Sequence, residues 1–170
     1  MLQAFVDFIV AHAAWSGALI ALIAFVEGLA LVGTFMPGST ILIAVGAASS
    51  HSMEILVPLI LCAAVGAIAG DTLSYRWGLT RGQQFLSRPS LVRHAAWVER
   101  TTRLVRWRGE IGVLVGRLCP PMRSIMPLVA GMSGLHLGRF VVADIVASTL
   151  WSAAHLGGGA YAIHLLHFSH

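Results

Sequence analysis

Long apolar runs with few interruptions dominate the chain. From Ala13 to Ser50 the one charged residue is Glu27. Such a run exceeds the roughly 20 residues one helix needs to cross a bilayer. It also contains GTFMPGS, where Gly33, Pro37 and Gly38 predict a break. The run from Ile111 to Leu137 is broken in the same way by Pro120, Pro121 and Pro127. Ile55 to Trp77 and Phe140 to Leu166 read instead as conventional spans, although they carry Asp71 and Asp144.

The two broken runs are related. Displaced by 83 positions, EGLALVGTFMPGSTILIAVGAASS (27–50) falls on EIGVLVGRLCPPMRSIMPLVAGMS (110–133). Glu27 meets Glu110, Pro37 meets Pro120, and the two share an E-x3-L-V-G-x3-P frame. Each repeat is then a broken apolar segment followed by a full span. The expected form of the broken part is a re-entrant helical hairpin. Ten helical residues from Glu27 to Pro37 would cover about 15 Å, half of a hydrocarbon core of about 30 Å. One span between two such hairpins makes them enter from opposite faces, an inverted repeat. Unwound backbone at that depth survives only inside protein or against a wet cavity. The expected class is an all-α polytopic membrane protein forming one membrane domain over residues 1–170. Repeat 1 covers about 27–80, an arginine-rich loop 81–109, and repeat 2 about 110–166.

Composition agrees. The chain is 57% hydrophobic and 11% charged, with a mean hydropathy of +0.81. A soluble domain of this length could not hide so much apolar surface in one core. MLQAFVDFIVAHAAW has no basic n-region and runs on into apolar sequence, so no cleaved signal peptide is expected. Cys62 and Cys119 sit in apolar runs and read as free thiols. The histidines, including His164, His167 and His170, lack metal-site spacing, so neither metal nor cofactor is expected.

Every basic residue is arginine, and eight of the eleven fall between Arg76 and Arg108. The positive-inside rule places this loop in the cytoplasm. Within it, Leu91, Ala95, Val98, Thr102 and Val105 form one helical stripe, with Arg93, Arg100 and Arg103 away from it. Two readings are open: a helix lying on an anionic membrane surface, or an ordinary solvated helix.

Arg117 and Arg123 flank Pro120-Pro121 inside the second apolar run. An intramembrane arginine costs at least about 2.5–3.5 kcal/mol on insertion scales, so it has a partner or a purpose. With free backbone N–H groups at the tip, two guanidiniums make an anion cradle whose planar forks suit phosphate. The alternative is structural pairing with Glu27, Glu110 or Asp144. In GDTLSYRWGLTRG, Asp71 is within a helical turn or so of Tyr75 and Arg76 and reads as a structural clasp or as a proton-linked acid.

These residues also carry a resemblance. E-x9-P-G at Glu27 to Gly38, GDTLSYRWGLTRG at 70–82 and GRLCPPMRSIMPLVAGMSGLHLGRF at 116–140 resemble the DedA family and its VTT-domain eukaryotic relatives. The resemblance extends over roughly residues 20 to 160. It implies a bacterial inner-membrane, multi-pass protein with two opposed re-entrant hairpins, in a family tied to undecaprenyl phosphate recycling and proton-motive-force homeostasis. Eukaryotic members are phospholipid scramblases. The family's functional acidic and basic residues fall on Glu27, Arg117 and Arg123. Two departures stand out: Ser39 occupies a place that is acidic in many relatives, and the chain stops at His170 where many continue. The first puts proton coupling in question; the second suggests a minimal member or one completed by a partner or a second copy.

The expected function is a transporter (flippase) of a lipid-linked phosphate. Arg117, Arg123, Ser39 and Thr40 would bind the headgroup, and Glu27 and Asp71 would be the proton-coupling or gating groups. Pro37, Gly38, Pro120 and Pro121 would form the hairpin tips. The expected partners are polyprenyl phosphate or phospholipid and the surrounding membrane lipids, not nucleic acid; self-association is open. The alternatives are an uncoupled phospholipid scramblase and a non-transport structural membrane protein. A membrane lipid phosphatase, which would need a lysine-arginine motif and a P-S-G-H histidine, is not expected, because the chain lacks both.

Overall fold

A computed structural model describes residues 13–30, 38–50, 53–86 and 95–168. Pro37, Arg88, Leu91, Arg93 and His170 lie outside the described residues. The described residues are helical throughout, joined by turns: α1 (Ala13–Gly28), α2 (Gly38–Ala48), α3 (Met53–Leu86), α4 (Ala95–Arg108), α5 (Glu110–Leu118), α6 (Pro120–Arg123), α7 (Met126–Met132) and α8 (Leu137–Phe168). Two stretches are long and apolar enough to cross a membrane, Met53–Gly82 in α3 and Leu137–Ile163 in α8. Their outer faces expose Val57, Leu61, Val65, Val142, Ile145 and Leu150. A soluble protein would bury such a series; lipid is its natural solvent.

α3 and α8 run antiparallel. Tyr75 stacks on Phe140 at 4.7 Å between ring centroids, and its hydroxyl donates to the Leu135 carbonyl. The broken segments pack around this pair in a regular way. α1 lies along α3 and α5 along α8; α2 crosses α8 and α7 crosses α3. First arms thus keep to the span of their own half, and second arms go to the span of the other.

Small residues make this close packing achievable, as in membrane helix pairs generally. Along α1 and α3, Gly66 lies against the Ala21 carbonyl and Gly70 against that of Phe25. Where α3 meets α7, a side chain on Gly78 would strike the Leu128 carbonyl, and one on Gly131 the Tyr75 carbonyl. Where α8 meets α2, Gly159 and Gly46 stand in the same relation to the Ile43 and Leu156 carbonyls. The two crossings are built alike, glycine against carbonyl in both directions.

The first break falls earlier than the sequence predicts. The expected helix does not run on unbroken from Glu27, because α1 ends at Gly28; residues 31–37 lie outside the described residues. Ser74 of α3 sets this end. Its hydroxyl donates to the Gly28 carbonyl at 3.1 Å and accepts the Ala30 N–H at 2.8 Å, satisfying backbone groups that the ended helix leaves open. Glu27 therefore stands at the inner end of the arm, beside Gly38, where α2 begins. The second break falls at Cys119, whose extended backbone (φ −93°, ψ 112°) separates α5 from α6. Pro120 and Pro121 open α6, where a missing N–H costs nothing.

The arginine-rich helix α4 differs from expectation in its buried stripe. Val98, Thr101 and Val105 face inward, and Thr101 rather than Thr102 is the buried threonine. They pack on α5 and α7, so the stripe is covered by protein and is not free for lipid. Arg100 and Arg103 project outward. Cys62 and Cys119 are free thiols.

Candidate functional site

Two apolar cores are separated by a layer of charge. One contains Tyr75, Val113, Met126 and Phe140; the other contains Ala24, Leu42, Ala67 and Trp151. Asp71 lies between Ala67 and Tyr75 on α3, and Asp144 between Phe140 and Trp151 on α8. The charged layer therefore crosses both spans.

Arg117, at the end of α5, is 4% exposed. Its guanidinium pairs with Asp71 and, at 2.8 Å, with Asp144. It also donates to the Ser148 hydroxyl at 3.0 Å. Asp71 and Asp144 are both buried. Two carboxylates from two spans thus hold one arginine from a broken segment.

Arg123, at the end of α6, is held differently. It donates from Nη1 to Glu27 Oε1 at 2.8 Å, and the same oxygen accepts the Ser39 hydroxyl at 2.7 Å. Its guanidinium carbon lies 3.7 Å from the centre of the Trp151 ring, a cation–π contact. Trp151 is at the middle of the Leu137–Ile163 stretch, so this arginine is at mid-span. The Glu27–Arg123 bond joins the inner ends of the two broken segments. A side chain on Gly38 would displace the Glu27 carboxylate from its place here.

Of the residues the sequence singles out, Glu27, Ser39, Asp71, Arg117 and Arg123 come together. Gly38 adjoins them. Pro120 and Pro121 lie in the turn between the arginines. Thr40 is exposed on the first turn of α2 and does not join the cluster. The clasp between Asp71 and Tyr75 or Arg76 does not form: Asp71 turns to Arg117, Tyr75 to Leu135, and Arg76 is exposed. Glu110, matched to Glu27 by sequence, is exposed at the start of α5. Ser148 and Trp151 are site residues that the sequence reading did not select, and Asp144 entered it only as a structural partner for the arginines, the pairing that Arg117 makes. Their i, i+4, i+7 spacing puts all three on one face of α8, a signal open to inspection.

The VTT domain profile matches residues 36–161, three-quarters of the chain and all of the charged layer except Glu27. The chain belongs to the VTT-domain (DedA) family. It is 31% identical over 145 residues to the inner membrane protein YabI of Escherichia coli, covering 85% of this chain and 57% of YabI. It is 27% identical over 151 residues to the E. coli protein DedA, covering 85% of this chain and 68% of DedA. A third relative, the E. coli inner membrane protein YghB, is 29% identical over 145 residues, with 85% and 66% covered. The chain spans only about half to three-fifths of the length of several curated relatives it matches. No solved structure matches it significantly. Membership of this family, with relatives named as inner membrane proteins, makes the chain a membrane protein, in agreement with its exposed apolar faces.

Proposed function

We propose that this VTT-domain protein is a multi-pass transporter of a lipid-linked phosphate, with undecaprenyl phosphate as substrate, in the bacterial inner membrane. The observation that carries this reading is Arg123: a guanidinium at mid-span, held by one carboxylate and resting on an indole face. A phosphate headgroup offers the same bidentate geometry as a carboxylate. It would take the place of Glu27 on Arg123, while the polyprenyl tail stays in lipid. Protonation of Glu27 weakens its hold on Arg123, so proton and phosphate would favour each other's binding, as linkage requires.

The architecture proposed for this function is a pair of inverted re-entrant hairpins, α1–α2 and α5–α6–α7, meeting at Glu27 and Arg123. The like-built crossings of α3 with α7 and of α8 with α2 support it, and so does the placement of α1 and α7 along different halves of α3. Cysteines substituted for Ser50 and Ser87 in a Cys-free background should be labelled from opposite sides of the membrane. Labelling from one side contradicts the inverted arrangement.

Transport itself is tested by reconstitution into liposomes with polyprenyl-phosphate and phospholipid probes. Gradient-stimulated movement of the polyprenyl phosphate supports the carrier. Equal, gradient-independent movement of both probes makes the protein a scramblase, and movement of neither makes it structural.

A further inference from the structure

Among the described residues the charged layer does not balance. Glu27, Asp71 and Asp144 face Arg117 and Arg123, three carboxylates against two guanidiniums. Residues 31–37, LVGTFMP, contain no ionisable group that could correct the count. Neither α2 nor α7 carries one. His155, further along α8, is engaged through Nδ1 with the Trp151 carbonyl. An unbalanced buried charge is disfavoured far more than a neutral acid, and the group neutralises instead.

The excess lies on the Arg117 side. Glu27 and Arg123 pair one to one, and Glu27 Oε1 is an acceptor for both Arg123 and Ser39. Asp71 and Asp144 share one guanidinium. Both carboxylates meet the same nitrogen of it, Arg117 Nη1. Asp144 is fully buried and its Oδ2 has no hydrogen-bond partner. Two carboxylates this close do not both ionise without a compensating charge each. A metal ion is a poor substitute for the proton, because Arg117 already occupies the space between the carboxylates. Nor do three or more His, Cys, Asp or Glu residues converge anywhere among the described residues.

We propose that Asp71 and Asp144 form a proton-binding site across Arg117, holding one proton between them. Through it, proton occupancy of both spans is tied to the broken segment that carries both arginines. Loss of the proton leaves two full carboxylates on Arg117 and draws α5 toward α3 and α8; its return loosens that grip. Because α6 follows α5 directly, Arg123 feels the change. The site itself stands on the charge count; its role as the coupling site rests on the transport reading.

The test separates these two claims. Infrared difference spectra of the purified protein in lipid nanodiscs, recorded across neutral pH, should contain a protonated-carboxyl band in the wild type. Asp144→Asn should abolish it while the protein accumulates normally, because the amide replaces the neutral partner and leaves Asp71 paired with Arg117. Asp71→Asn serves as the second variant if the first fails to accumulate, and Glu27→Gln should leave the band in place. A wild type without the band, or one whose band persists in both aspartate variants, overturns the site whatever transport shows. In liposomes, Asp144→Asn should lose the stimulation of polyprenyl-phosphate transport by a pH gradient. If the band behaves as expected but Asp144→Asn keeps full gradient stimulation, the coupling role is overturned and the site is static. A wild type that transports nothing contradicts the transport reading and leaves the spectroscopic result intact.

Discussion

Arg117 and Arg123 are six positions apart in one broken segment, yet their surroundings differ in every respect that matters. Arg117 is gripped by two carboxylates and a hydroxyl, all from the spans α3 and α8. Arg123 has one carboxylate, contributed by the other broken segment, and an aromatic face. Its side chain retains 14% exposure, against 2% for Arg117. A doubly paired, sealed cation is a structural joint. A singly paired one beside a residual opening can exchange its partner. The comparison teaches that intramembrane charge is not one signal: the number and origin of the partners decide between holding the fold and meeting a ligand.

The largest effect should come from the joint. Arg117→Leu strands Asp71 and Asp144 without a cation, and breaking a buried pair in this way costs about 3–5 kcal/mol. The variant should accumulate poorly or melt far below wild type in detergent. Arg123→Leu, which leaves only Glu27 uncompensated near an opening, should accumulate better. Equal losses for the two would erase the distinction.

A smaller effect is expected at the aromatic face. Trp151→Leu keeps an apolar side chain on α8 but a smaller one, removing a cation–π contact of about 0.5–2 kcal/mol together with some buried volume. The protein should remain folded, and transport should fall several-fold through misplacement of Arg123. Unchanged transport would mean that the indole only packs.

The subtlest change concerns Glu27. Glu27→Gln weakens the competitor for Arg123 permanently, so lipid binding should persist while its dependence on pH through Glu27 flattens. Ser39→Asp places a second carboxylate at the inner end of α2 and should shift the midpoint of the pH profile. A Glu27→Gln profile superimposable on wild type would remove Glu27 from the coupling.

The spans, the second break and the unusual position of both arginines were legible in the sequence, because each follows from local chemistry. Apolar length marks α3 and α8, and a double proline marks the turn before Arg123. The end of α1 was not legible. It depends on Ser74, more than forty residues away, reaching Gly28 and Ala30. Asp144 was legible as a partner for one of the arginines, but Asp71 as a partner of Arg117 was out of reach for the same reason. Asp71 has Tyr75 and Arg76 as sequence neighbours, and only the crossing of α3 with α8 shows that it faces Arg117 instead. Glu110 shows the converse failure. The repeat equates it with Glu27, but one residue starts an arm at the surface and the other ends an arm in the interior.

Phosphate binding by Arg123 is the central element of the proposed transport. Its most direct test is the rate of polyprenyl-phosphate transport by liposomes containing wild type or Arg123→Lys at equal protein content. Lysine keeps the charge and can still pair with Glu27, but it lacks the planar fork that meets two phosphate oxygens. The predicted result is a fall of about tenfold or more, equivalent to roughly 1.4 kcal/mol, with normal accumulation and unchanged thermal stability. Full transport by Arg123→Lys would contradict phosphate binding by this arginine and leave it as a charge pair with Glu27.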